Sequence, residues 1–200
     1  MANKFTLITA ALILLLTSCK KNLTNLFVDE QSQGLYIFSN TGNNILSCYV
    51  NGTPWRTIDR IAYSGVVMPG NTDYELNIYK FTRGGNNDTL VFRWEGKFVG
   101  ADTTTLIVLG LSVKKGFTKE DFNALQGQRL IVDTSSNGYF TTNINATIPG
   151  VKGNGSIYFN KANIDSVGNL SGLFETTING FKFTRGRFDE QLNLQMCRFD

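Results

Sequence analysis

From Ile45 to the C-terminus the chain is a series of short runs rich in β-branched and aromatic residues, separated by turn residues. The runs are Ile45 to Val50, Arg60 to Met68, Tyr74 to Thr82, Thr89 to Phe98, Thr105 to Val113, Gln128 to Asp133, Tyr139 to Thr147, Ser156 to Ile164, Asn169 to Thr177 and Phe181 to Phe188. Several alternate apolar with polar positions. In Phe181-Lys182-Phe183-Thr184-Arg185 the aromatics are expected on one face and Lys, Thr and Arg on the other. Asn-Gly pairs, which tolerate the positive φ of a type I′ turn, stand at Asn51-Gly52, Asn137-Gly138, Asn154-Gly155 and Asn179-Gly180. Pro69-Gly70 and Gly84-Gly85 add further turns. Strands at this spacing predict an all-β fold, an antiparallel β-sandwich or flattened barrel of about nine or ten strands.

One stretch breaks the pattern. In Gly116 to Gly127, Thr118 can cap a short helix whose first turn holds Glu120 and Asp121, favourable beside the positive end of the helix dipole, and Gly127 can end it. Phe117, Phe122 and Leu125 would then pack on a sheet end or plug a barrel mouth.

The N-terminus is organised differently. Lys4 precedes an apolar run from Phe5 to Leu16, and the small residues Thr17 and Ser18 lead to Cys19. This is the layout of a signal peptide. The apolar run falls short of the roughly 20 helical residues a bilayer core requires. Leu16-Thr17-Ser18-Cys19 looks like a bacterial lipobox, so Cys19 is expected to be the lipidated first residue after cleavage. Each buried methylene of a lipid chain contributes about 0.8 kcal/mol, and several chains make the anchor stable. The domain reading is a signal peptide over 1–18, a lipidated cysteine and tether over 19–44, and a single β-domain over 45–200.

Charge and cysteines narrow the partners. The chain has 19 basic and 16 acidic residues; removing Lys4 with the leader lowers the formal +3 to +2. The charges are interspersed without a basic run, which argues against nucleic acid. Beyond the inner membrane, where disulfides persist, Cys48 and Cys197 could join an early strand to the last one. Two small buried hydrophobes on separate strands are the other reading.

The chain contains no histidine, which removes the usual general base, the Ser-His-Asp and Cys-His arrangements and histidine-ligated zinc. Carboxylate chemistry is what remains for an enzyme, with Glu95 and Glu175 on predicted strands. Gly84-Gly85-Asn86-Asn87-Asp88 offers oxygen atoms but lacks the spacing of an EF-hand, and Lys152 to Ser156 lacks the strand-loop-helix context of a phosphate loop. No metal or cofactor is implied. Trp55 and Trp94 are candidate ligand-binding aromatics, since exposed indole faces stack on sugars, with core packing as the alternative. Lys-Phe-Thr-Arg-Gly occurs at Lys80 to Gly84 and again at Lys182 to Gly186, read as two strands ending in similar turns.

Cys48-Tyr49-Val50-Asn51-Gly52-Thr53-Pro54-Trp55 resembles the opening VNG-x-x-W hairpin of small Bacteroidota lipoproteins of unknown function. Gly168 to Phe174 followed by Phe181 to Asp189 is similar to the closing strand pair of that family. The resemblance implies a lipid-anchored β-domain and brings no catalytic residue. Lys20-Lys21-Asn22 lacks the acidic residues that follow the cysteine in surface-exported members of that phylum, which implies the periplasmic face of the outer membrane. Asp88-Thr89-Leu90 and Asp165-Ser166-Val167 are similar to modification sites of exported proteins there. The first functional expectation is a non-catalytic binding or envelope-interaction module with a protein or glycan partner. A barrel-type carrier of a small apolar or carbohydrate ligand is the second, and a carboxylate-dependent hydrolase the third.

Overall fold

Two of the four Asn-Gly pairs make the tight hairpins expected of them. Asn51 and Gly52 have φ of 51° and 84°, and Asn179 and Gly180 have 48° and 82°. These are the paired left-handed conformations of a type I′ turn. They join β1 (Ile45–Val50) to β2 (Thr53–Thr57) and β9 (Gly168–Ile178) to β10 (Phe181–Leu192). The hairpins lie side by side, with Asn51 N–H donating to Lys182 O at 2.9 Å and Lys182 N–H to Asn51 Oδ1 at 2.8 Å. The computed structural model describes residues 31–57, 76–82, 86–144, 150–164, 168–192 and 197–198. The remaining strands are β3 (Leu76–Thr82), β4 (Asn87–Phe98), β5 (Thr105–Lys114), β6 (Arg129–Val132), β7 (Gly138–Thr142), β8 (Lys152–Asn163) and β11 (Cys197–Arg198). The expected run from Arg60 to Met68 and the turns at Pro69-Gly70 and Gly84-Gly85 lie outside the described residues.

The other two Asn-Gly pairs behave differently. Asn137 closes a five-residue turn in which Ser136, Asn137 and Gly138 all donate to Asp133 O, and Gly138 opens β7. Asn154-Gly155 lies inside β8, paired with Thr177 and Thr176 of β9. The glycine serves close approach there: a Cβ on it would meet Glu175 O at 2.3 Å.

Strand pairing closes a barrel. In the order β4-β2-β1-β10-β9-β8-β7-β5 each strand is antiparallel to the next, and β5 returns to β4 over Thr105–Lys114. A closed barrel has no open edge, which settles the choice between sandwich and barrel. Three further strands extend it. β3 pairs with residues 88–94 of β4 on the edge that β2 uses at 96–98. β6 pairs with 155–158 of β8, beside the short contact with β7 at 152–153. β11 runs parallel to β3, with Cys197 opposite Ile78.

The alternation seen in the sequence sends one set of side chains into the barrel. Leu90, Phe92 and Trp94 of β4 meet Ile107 and Leu109 of β5, Phe159 of β8 and Phe188 of β10. Ring centroids of Phe92 lie 5.9 Å from Trp94 and 5.8 Å from Phe159. The expected helix, α1 (Lys119–Asn123), sets Phe122 into the core: it is fully buried, 6.3 Å from Phe92 between ring centroids. Thr118 and Asp121 form a reciprocal capping box at its start.

Residues 32–44 pack on the barrel, although the sequence reading assigned them to a tether. Leu35 and Tyr36 are buried, Tyr36 N–H donates to Ser47 Oγ at 3.0 Å, and the Tyr36 hydroxyl donates to Thr57 O at 3.3 Å. Asp189 on the outer face of β10 accepts from Ser39, Thr41, Gly42 and Asn43. This strap covers the outer face of β1, which explains why Ser47 as well as Leu46 and Cys48 is buried there.

Candidate functional site

The residues singled out by sequence divide between the interior and opposite walls. Trp55 and Trp94, the candidate ligand-binding aromatics, are core residues, 0% and 1% exposed. Trp55 Nε1 donates to Thr105 Oγ1 at 2.6 Å, and Trp94 stacks on Phe92 within 10° of parallel. Their faces are occupied by the barrel itself. Cys48 is a free, buried thiol on β1, and Cys197 lies on β11. Burial pushes the Cys48 thiol far above its ordinary pKa, as for a small apolar side chain. Cys19 lies outside the described residues, as does Asp165-Ser166-Val167. Asp88, at the head of the other three-residue pattern, is buried and accepts from Gly116 N–H at 2.9 Å.

Glu95 and Glu175 are not brought together. Glu95 points outward from β4 and accepts from Arg93 Nη2 at 2.7 Å. Glu175 points outward from β9, four strands away in either direction around the barrel. Among the described residues no three Cys, Asp or Glu side chains gather as a metal site would require.

What the fold does assemble is a groove of about 520 Å³ on the outside of the barrel. It is lined by Arg129 of β6, Leu173 and Glu175 of β9, Arg185 and Arg187 of β10, and Phe38 of the strap. Ladder pairing explains the placement. Arg129 is opposite Tyr158, Tyr158 opposite Leu173, and Leu173 opposite Arg187. One transverse row therefore begins and ends on a guanidinium with apolar side chains between. The Arg129 guanidinium carbon stands 5.8 Å from the centroid of the Tyr158 ring. Phe38 and Leu173 are 37% and 39% exposed, so the groove offers apolar surface to solvent.

Comparison with protein-family models, curated proteins and solved structures finds no match.

Arg185 owes its position to a backbone irregularity. Strict alternation after Phe183 would send Arg185 into the barrel. A β-bulge between Phe183 and Gly186 leaves both Thr184 and Arg185 outside, with Arg185 at φ +51°. The second Lys-Phe-Thr-Arg-Gly copy thus contains a bulge within β10; of the first, Lys80 to Thr82 lie in β3 and the rest lies outside the described residues. Arg185 Nη1 donates to Ser32 Oγ at 3.0 Å, and Arg187 donates to Tyr36 O at 2.9 Å. The strap that supplies Phe38 is thereby pinned beside the groove. Sequence reasoning overlooked Phe38, Arg129, Arg185 and Arg187. Their separation along the chain leaves no local signal; Arg185 does lie on the face expected for it with Lys182 and Thr184, but a bulge and not period-two alternation puts it there.

Proposed function

We propose that this chain is an exported, lipid-anchored, non-catalytic binding module that takes its partner on the outer face of the barrel. The groove beside Leu173 carries this reading. It combines accessible apolar surface, converging guanidinium groups and a rigid sheet as floor, the mixture found at small-molecule and partner sites. The carrier alternative draws less support, because Trp55, Trp94, Phe92, Phe159, Phe183 and Phe188 fill the interior where a barrel carrier would hold its ligand. The hydrolase alternative loses its acid pair to opposite walls.

The address follows from Leu16-Thr17-Ser18-Cys19: acyl chains on Cys19 hold the module at the outer membrane, facing the periplasm. The likeness of its two ends to small Bacteroidota lipoproteins supports the same address. Fractionation of cells carrying Cys19→Ala tests the anchor, and release of the protein from the membrane fraction is the expected result. Crosslinked capture from the native envelope tests the groove. A species that crosslinks to the wild type and to Glu95→Ala, but is lost with Leu173→Arg, supports the site. A species retained by Leu173→Arg shows that the partner binds elsewhere.

A further inference from the structure

Three features of the groove point to the class of ligand it takes. The first is the bulge. Left-handed φ in a bulge suits glycine, and an arginine adopts it at a cost. At position 185 that conformation turns a guanidinium outward to the groove in place of the barrel interior.

The second is charge. Arg185 and Arg129 make no ion pair among the described residues, and the hydrogen bond of Arg185 goes to the neutral Ser32 hydroxyl. Glu175, the one carboxylate lining the groove, makes no ion pair there either. Arg185 and Arg129 against Glu175 leave the groove with a surplus of positive charge.

The third is the pattern of the floor. Successive strands stand about 4.8 Å apart, so the three steps from β6 to β10 span about 14 Å. Leu173 lies in that span with Phe38 at its side, which suits a compact apolar body better than a chain of sugar hydroxyls.

We infer that the groove binds a small organic anion with an apolar body. Its carboxylate or phosphate lies against Arg185, whose Nη1 alone is engaged by Ser32, and its body covers Leu173 against Phe38. Planar guanidinium groups are suited to either oxyanion because they present paired donors. Glu175 lies across the ladder from the Thr184-Arg185 bulge, so it disfavours a second negative charge on the ligand. This assignment rests on the proposed use of the groove as the binding surface.

The test uses the full chain and three probes of one shape: 2-naphthoate, 2-naphthyl phosphate and the neutral 2-naphthamide, followed by ligand-observed NMR titration. At least one acid is expected to saturate the protein and to bind about 10-fold or more tightly than the amide, as a charge-assisted hydrogen bond requires. The preferred acid identifies the head group. Arg185→Gly is expected to weaken the acid about 10-fold with little change in melting temperature, because relief of the left-handed backbone offsets the lost hydrogen bond to Ser32. Arg185→Gln gives the same affinity reading with the bulge retained. Glu175→Gln is expected to tighten the acid about 3-fold or more by removing a like charge.

Equal affinity for acid and amide would overturn the assignment. So would an acid affinity unchanged in both Arg185 variants, or the absence of saturation by either acid below about 10 mM. If the acids fail while Leu173→Arg still abolishes the envelope crosslink, the groove remains the binding surface and the anion assignment alone is wrong.

Discussion

Replacing Asp189 with Ala removes the group that fastens residues 39–43 of the strap to the barrel. Its Oδ2 accepts from Ser39 Oγ, from Thr41 N–H at 3.2 Å, from Asn43 N–H at 3.3 Å and from Asn43 Nδ2 at 3.1 Å. Its Oδ1 accepts from Gly42 N–H at 2.8 Å. A hydrogen bond to a charged group is worth about 1.5–3 kcal/mol, but five bonds to one carboxylate do not add. The loss is also capped, because once the bonds fail the strap can lift off. What then disappears is the burial of Leu35 and Tyr36, about 1.5–3 kcal/mol for each such side chain. The expected destabilisation is therefore about 2–4 kcal/mol. Urea denaturation supplies the magnitude, and hydrogen exchange at Thr41, Gly42 and Asn43 supplies the location. Asp189→Asn is the informative companion. It keeps one oxygen for Gly42 but turns an amide NH₂ toward the four donors on Oδ2, so it is expected to behave nearly like Ala. If Gly42 stays protected and stability changes by less than about 0.5 kcal/mol in both variants, the strap is held by something else.

Other outcomes follow from the same geometry. Gly172→Ala would place a Cβ 2.0 Å from Tyr158 O and 2.5 Å from Phe188 Cζ, with a ladder carbonyl that cannot move aside. A loss of about 3 kcal/mol or more in urea denaturation is expected. Cys48 should resist iodoacetamide in the native protein and react only on unfolding, because burial raises its thiol pKa and denies access. Peptide mapping after labelling across a urea series checks this. The Asp121 carboxyl is held below its ordinary pKa by the hydrogen bond from Lys114, 2.6 Å away, and by the Thr118 backbone N–H. Its contribution is fully present above the unfolded-state pKa and is lost as pH falls through the lowered folded value. Asp121→Asn should flatten that part of the acid limb of stability against pH, and an Asp121 NMR titration midpoint at or above the ordinary aspartate value would contradict it.

Where information is local, the amino-acid order was sufficient. Period-two runs mark the strands because alternate side chains must enter a core, and Asn51-Gly52 and Asn179-Gly180 mark hairpins because few other pairs accept two positive φ angles. Thr118 and Asp121 announce the helix because its first amides lack partners within the helix itself. Tertiary structure decided what depends on closure and register. Closing the barrel between β4 and β5 put both tryptophans inside, and it set Glu95 and Glu175 on opposite walls. The Asn154-Gly155 pair became strand because the β9 backbone runs against it. Docking of the strap, the outward turn of Arg185 and the pairing of β6 with β8 brought Phe38, Arg185 and Arg129 to one groove from positions far apart in the chain. A local pattern can state which face of a strand is apolar. It cannot state which strands become neighbours, because that depends on contacts made only when the whole sheet has closed.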